Sequence, residues 1–242
     1  MNAPITIARA GTPHGEVALR RRGSGEGAVV ELIVNGVFAM DSAETASEIA
    51  LADAVLPEPN SPDAVGGGRV LVGGLGLGYT VGRLLDRGAS EIDVVELAEP
   101  LLGWARAGVT PLLGRVASDP RVRLHAGDIA DWILTHDGPW DAVALDVDNG
   151  PSFLIHDHNA RVYSSDALRT FWTRLAPGGV LVIWCEERSP DLLDALRALV
   201  TEDGPDAAAS ELIVPVEREG RRFDYALYRA ERLSSRTPPA GR

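Results

Sequence analysis

Only one cysteine, Cys185, occurs in the 242 residues, which excludes an intrachain disulfide and any cysteine-built metal cluster. Basic residues are few: 23 Lys and Arg stand against 35 Asp and Glu, a formal net charge of −12. Phosphate binding draws on clustered cations that release counterions, so no nucleic-acid partner is expected. The acidic balance suits a small-molecule amine substrate, although it equally serves solubility. No run reaches the ~20 apolar residues of a membrane span, and residues 1–10 lack the basic start and apolar stretch of a signal peptide. A cytoplasmic protein with no membrane partner is the expectation.

The first forty residues alternate in the strand manner, through Ile5-Thr6-Ile7, Glu16-Val17-Ala18-Leu19-Arg20 and residues 29–34. Asn35-Gly36 then supplies a strong hairpin signal before Val37-Phe38-Ala39-Met40 returns. Helical spacing over 42–56 completes an N-terminal unit, 1–56. A Pro- and Gly-rich linker follows at 57–68. Arg20-Arg21-Arg22 reads as a solvated strand end and receives no function.

From residue 69 to 233 short apolar runs alternate with amphipathic stretches, the pattern of a parallel sheet covered on both faces. Strands are expected at 70–73, 92–96, 122–125, 142–146, 180–184, 212–216 and 223–228, with helices between the first six. Six residues separate the last two, too few for a parallel crossover, so they must pair antiparallel. The fold class is therefore α/β, Rossmann-like, with a seven-stranded, mostly parallel sheet and a small N-terminal antiparallel β unit. The polar segment 234–242 reads as a flexible tail.

Four constellations along this sheet could carry chemistry. Gly74-Leu75-Gly76-Leu77-Gly78 follows the first parallel strand and opens a helix at Tyr79, where glycines allow close ligand approach and the helix start offers free N–H groups. A tight turn alone is the bland alternative. Tyr79 occupies the place where a dinucleotide fingerprint needs its third glycine, which argues against NAD and FAD. Glu96, followed by Leu97, ends the second strand where an acid could accept from both ribose hydroxyls; otherwise it is a strand-end or capping acid.

Gly127-Asp128-Ile129 follows the third strand. Asp128 could accept from an adenine amine with Ile129 over the ring, and could also cap the next helix. Asp146 and Asp148 lie at the carboxyl end of the fourth strand, where ligands of open α/β sheets bind; a carboxylate there could orient an amine and take its proton. Asp148-Asn149-Gly150 is also ordinary turn chemistry. The aperiodic stretch 150–164 reads as a lid, with His156, His158 and Tyr163 facing substrate. His156-Asp157-His158 lacks further clustered ligands, so no metal is expected. His125 and Cys185 read as structural.

These residues resemble the spermidine synthases and the spermidine synthase-like bacterial proteins, from Val34-Asn35-Gly36-Val37 through to Leu175-Ala176-Pro177-Gly178-Gly179-Val180-Leu181. The resemblance implies an S-adenosyl cofactor held by Gly74, Gly76, Leu77, Gly78, Tyr79, Glu96, Leu97, Asp128, Ile129 and Asp146, with Asp146 catalytic. It also implies a homodimer. Leu77 stands where the family carries an aspartate for the aminopropyl amine. The gate is shortened to Asp146-Val147-Asp148-Asn149-Gly150-Pro151, and the channel element to Ala46-Ser47-Glu48. On that ground the first expectation is methyl transfer from S-adenosylmethionine to a small-molecule amine, with the decarboxylated cofactor disfavoured. Aminopropyl transfer from decarboxylated S-adenosylmethionine, with Asp148 or Glu48 replacing the missing acid, is the alternative. A non-catalytic module binding nucleoside or polyamine is the third.

Overall fold

The computed structural model describes residues 3–56, 67–147, 149–151, 154, 157–205, 207–218 and 220–232. Residues 57–66 of the expected linker and the whole of the tail 234–242 lie outside the described residues.

Strands β1 (Ile5–Thr12), β2 (Gly15–Arg22), β3 (Val29–Val34) and β4 (Val37–Asp41) form an antiparallel sheet in chain order. Asn35 and Gly36 both have positive φ, 53° and 78°, the turn whose twist matches the flanking strands. The sheet buries Val17, Leu19 and Leu32 in the main core. Helix α1 (Ala46–Val55) starts later than the periodicity over 42–56 implied. Ser42 prolongs the pairing with Val30 through its backbone and its Oγ, and Asp41 accepts from the N–H groups of Ala43 and Glu44. Such side-chain bonds to the backbone compete with the helix.

The second sheet contains β5 (Arg69–Gly73), β6 (Glu91–Glu96), β7 (Val122–Ala126), β8 (Trp140–Leu145), β9 (Leu175–Cys185), β10 (Ala207–Arg218) and β11 (Arg221–Arg232), in the order β10-β11-β9-β8-β5-β6-β7. The five strands from β5 to β9 run parallel, and β11 pairs antiparallel with both β9 and β10. The apolar runs follow from burial on both faces. Val70, Val72, Ala142, Ala144, Val180 and Val182 enter one core cluster, whereas Leu71, Val143, Leu145, Leu181 and Ile183 enter the other. The first cluster is covered by α1, α2 (Tyr79–Asp86), α3 (Glu99–Arg106) and α4 (Pro111–Ser118). The second is covered by α5 (Ile129–Thr135), α6 (Ser165–Thr173) and α7 (Pro190–Asp203).

One clamp matters for the site. Asp53 on α1 accepts from Arg83 at 2.7 and 3.0 Å and from Arg87 at 2.8 Å. Burial pushes this carboxyl up, but the two guanidinium groups outweigh it and hold the carboxyl below its ordinary range. The clamp fixes α1, and with it Glu48, against α2.

Candidate active site

From β5 the chain builds outward through β6 to β7, then crosses back to place β8 on the other flank of β5. The crevice beyond the carboxyl ends of β5 and β8 is thus a topological switch point. An open cavity lies there, lined by Gly74, Gly76, Glu96, Asp128 and Asp146.

Its floor is the glycine loop. Gly74, Gly76 and Gly78 all have positive φ, at 90°, 52° and 89°. A Cβ on Gly74 would lie 2.1 Å from the carbonyl oxygen of Asp146, whereas on Gly76 it would meet the Met40 Sδ at 2.7 Å. The first position is closed by backbone, the second by a movable side chain.

Glu96 organises the adjoining wall. One carboxylate oxygen accepts from the Leu75 N–H at 2.7 Å and the other from the Ala98 N–H at 2.8 Å. Each oxygen retains a lone pair, so acceptance from ribose hydroxyls stays open. Burial pushes the Glu96 carboxyl up, and the backbone donors of Leu75, Ala98, Gly76 and Leu97 pull it down. Glu96→Ala should therefore act twice. It should weaken binding of an adenosine cofactor by about 1.5–3 kcal/mol, and it should lower unfolding stability because buried N–H groups lose their acceptor, at about 1–3 kcal/mol each. Calorimetry and urea denaturation of the same variant would check both; an unchanged denaturation midpoint would contradict the loop-holding role.

Asp128 caps α5 by accepting from the Ala130 N–H at 2.8 Å, and its other oxygen lies 3.6 Å from the Arg161 guanidinium. Asp128 and Ile129 both line the cavity, as do Leu97 and Asn149. The Asp128 carboxylate is thus both cap and wall.

Asp146 sits at the centre. Its backbone N–H bonds to the Gly73 carbonyl at 2.8 Å, and its Oδ2 accepts from the Thr80 hydroxyl at 3.0 Å. Burial, with the negative charges of Glu48 and Glu96, pushes its carboxyl up to about 7 against the pull of Thr80. Glu48, held by the Ser47 hydroxyl at 2.7 Å, is itself pushed up by burial.

Not every expected residue is on this wall. Leu77 is 3 % exposed and packs in the core, because an apolar side chain gains more there than in an acid-lined crevice. Gly78 caps α2 against Leu112, Leu113 and Val116, and Tyr79 bonds to Ser42. Neither lines the cavity, and Tyr163 packs against the second core cluster. Asp148 and His156 lie outside the described residues, as does the side chain of His158. Among the described residues no group of three His, Cys, Asp or Glu is placed to hold a metal. His125 bonds to the buried Asp93 at 3.0 Å.

Sequence reasoning missed part of the wall. Phe38 and Met40 come from the N-terminal sheet, Asn159 from the stretch between β8 and α6, Trp184 from β9 with Glu186 just beyond it, and Arg218 and Tyr225 from β10 and β11. No local pattern marks these.

No family model matches the chain, and no curated protein matches it. Among solved structures, it is similar to a spermidine synthase in complex with the transition-state analogue AdoDATO, with a TM-score of 0.70 and 14% identity over 94% of this chain and 74% of that one. The spermidine synthase of Thermotoga maritima is similar to the same degree, over 94% of this chain and 73% of its own. In the described residues no helix is long and apolar enough to cross a membrane. The fold is spermidine synthase-like.

Proposed function

We propose that this protein transfers an alkyl group from an S-adenosyl cofactor to an amine, with Asp146 as the base. The carrying observation is that Asp146 stands at the switch point between the glycine loop, the ribose-side acid Glu96 and a second acid, Glu48. When bound, the cofactor supplies an electrophilic carbon on sulfonium sulfur; the amine nitrogen bonds to that carbon as its bond to sulfur breaks, and sulfur keeps the electron pair. Asp146 holds the incoming ammonium, takes its proton and leaves the nitrogen lone pair free to attack. Thr80 fixes the carboxylate. The apolar walls from Met40 and Ile129 exclude water from the charges.

The alkyl group that fits best is aminopropyl. Leu77 motivated methyl transfer, but its side chain is in the core, and Glu48 supplies an acid beside Asp146. Two buried carboxyls, Glu48 raised by burial and Asp146 by burial and by the charge of Glu48, suit a ligand bearing an ammonium as well as a sulfonium. The likeness to a spermidine synthase holding AdoDATO points the same way. Decarboxylated S-adenosylmethionine should bind about ten- to 150-fold tighter than S-adenosylmethionine, and Glu48→Gln should abolish most of that preference. Calorimetry with both cofactors, and identification of the thioether product, decides the matter. Tighter binding of S-adenosylmethionine with release of S-adenosylhomocysteine would return the methyl-transfer reading.

A further inference from the structure

Each backbone N–H of the glycine loop, from Gly74 to Gly78, already has an acceptor, so the free donors expected at this helix start are engaged. The Gly74 N–H bonds to the Val95 carbonyl at 2.8 Å, the Leu75 N–H to Glu96 at 2.7 Å and the Gly78 N–H to the Leu75 carbonyl at 2.9 Å. The Gly76 N–H is a further donor to Glu96. Tyr79, Thr80 and Val81, which open α2, do not line the cavity.

The Leu77 N–H differs from the other four. Its acceptor is the Met40 Sδ at 3.3 Å, a thioether sulfur brought in by β4 of the N-terminal sheet. Thioether sulfur is a weak acceptor. Met40 is half-buried and lines the cavity beside Gly76, where an added Cβ would lie 2.7 Å from its sulfur. One flexible, unbranched side chain therefore separates the Leu77 N–H from the cavity. The amide matters for cofactor choice. S-Adenosylmethionine carries a carboxylate that its decarboxylated form lacks, and a carboxylate in a cavity lined by Glu48, Glu96 and Asp146 needs a donor.

We propose that Met40 is a specificity-determining residue: by covering the Leu77 N–H it denies the glycine loop to a cofactor carboxylate, and so favours the decarboxylated cofactor. This rests on the transferase function proposed above. Met40 and Glu48 act separably. Removing the Glu48 charge weakens the decarboxylated cofactor, whereas shortening Met40 strengthens S-adenosylmethionine.

The test is calorimetry on the full chain with S-adenosylmethionine, its decarboxylated form and methylthioadenosine, which shares the nucleoside and lacks the amino-acid arm. Met40→Val vacates the sulfur position with a residue suited to a strand, and Met40→Leu keeps bulk over the N–H. Met40→Val should bind S-adenosylmethionine about tenfold or more tighter than wild type, the effect of one hydrogen bond to a charged group, with the other two ligands changed by less than about threefold. Met40→Leu should keep the wild-type order. A damaged fold does not produce such a gain. Unchanged or weaker S-adenosylmethionine binding by Met40→Val, with methylthioadenosine still bound, overturns the inference and leaves the transferase; the same gain in Met40→Leu overturns the covering role. Amide exchange in the wild type supplies a reading free of any variant: S-adenosylmethionine should protect the Leu77 N–H no more than the decarboxylated form does, and extra protection overturns the proposal. Tighter wild-type binding of S-adenosylmethionine removes this inference together with the aminopropyl reading. Binding of none of the three ligands removes the cofactor reading and this inference with it.

Discussion

Asp146→Asn should lower turnover by about two to four orders of magnitude while cofactor affinity changes little, because the amide keeps the shape and can still accept from Thr80 but cannot take a proton. The wild-type pH profile should carry the mark of the same group. With its carboxyl pushed up to about 7 by burial, Glu48 and Glu96, the base is half protonated near neutrality, so kcat/KM should rise with pH through that region. A bound ammonium or sulfonium favours the ionised form, and the limb in kcat should lie lower than the limb in kcat/KM. Glu48→Gln removes a like charge and should move the kcat/KM limb downward. Stability moves with opposite sense. A carboxyl raised from its ordinary value of 3.8 to about 7 in the folded chain binds its proton more tightly there than in the unfolded chain. Its contribution is complete below the unfolded value, and falls as pH climbs toward about 7. The Asn variant lacks this titration, so its Tm advantage over wild type should grow between those two limits and then level off. A pH-independent Tm difference, or turnover within about tenfold of wild type, would remove Asp146 from the role of base.

Gly74→Ala should be the most damaging single change in the glycine loop. The residue has φ of 90°, a conformation costing a non-glycine residue of order 1–3 kcal/mol, and the added methyl would lie 2.1 Å from the Asp146 carbonyl oxygen. Backbone cannot yield as a side chain can, so β5 and β8 would have to separate where Asp146 is positioned. Destabilisation of about 3 kcal/mol or more is expected, with loss of cofactor binding and turnover together. Gly76→Ala provides the comparison: it carries the left-handed strain, but its methyl meets only the Met40 Sδ, which can swing aside. It should cost roughly 1–2 kcal/mol and leave measurable binding. Urea denaturation and calorimetry on both variants would check the order. Equal effects at the two glycines would mean that the Asp146 carbonyl contact does not set the loop.

The sequence by itself determined the architecture, because period-two burial on both faces leaves a visible apolar run at each central strand, and Asn35-Gly36 and the short link between β10 and β11 admit few geometries. It also singled out Glu96, Asp128 and Asp146 as candidates, and the structure brings all three to the wall of one cavity. Each lies at a strand's carboxyl end, where the fold forces ligand chemistry, so a linear position translates into a place in space. Residues whose role depends on distant partners were not legible. Leu77 occupied a motif position, yet its side chain turned into the core, since motif spacing fixes the backbone and packing decides where an apolar side chain goes. Glu48 comes near enough to act on the charge of Asp146 because α1 packs onto the core and is clamped to α2 by Asp53 with Arg83 and Arg87. Arg218 and Trp184 face the cavity only because β11 pairs antiparallel between β9 and β10, which brings the end of the hairpin against the N-terminal sheet and its Phe38. The glycine-loop end of the cavity was thus written in local strand-and-loop pattern. The opposite end is assembled from separate stretches of chain by tertiary packing, and no local pattern encodes contacts between them.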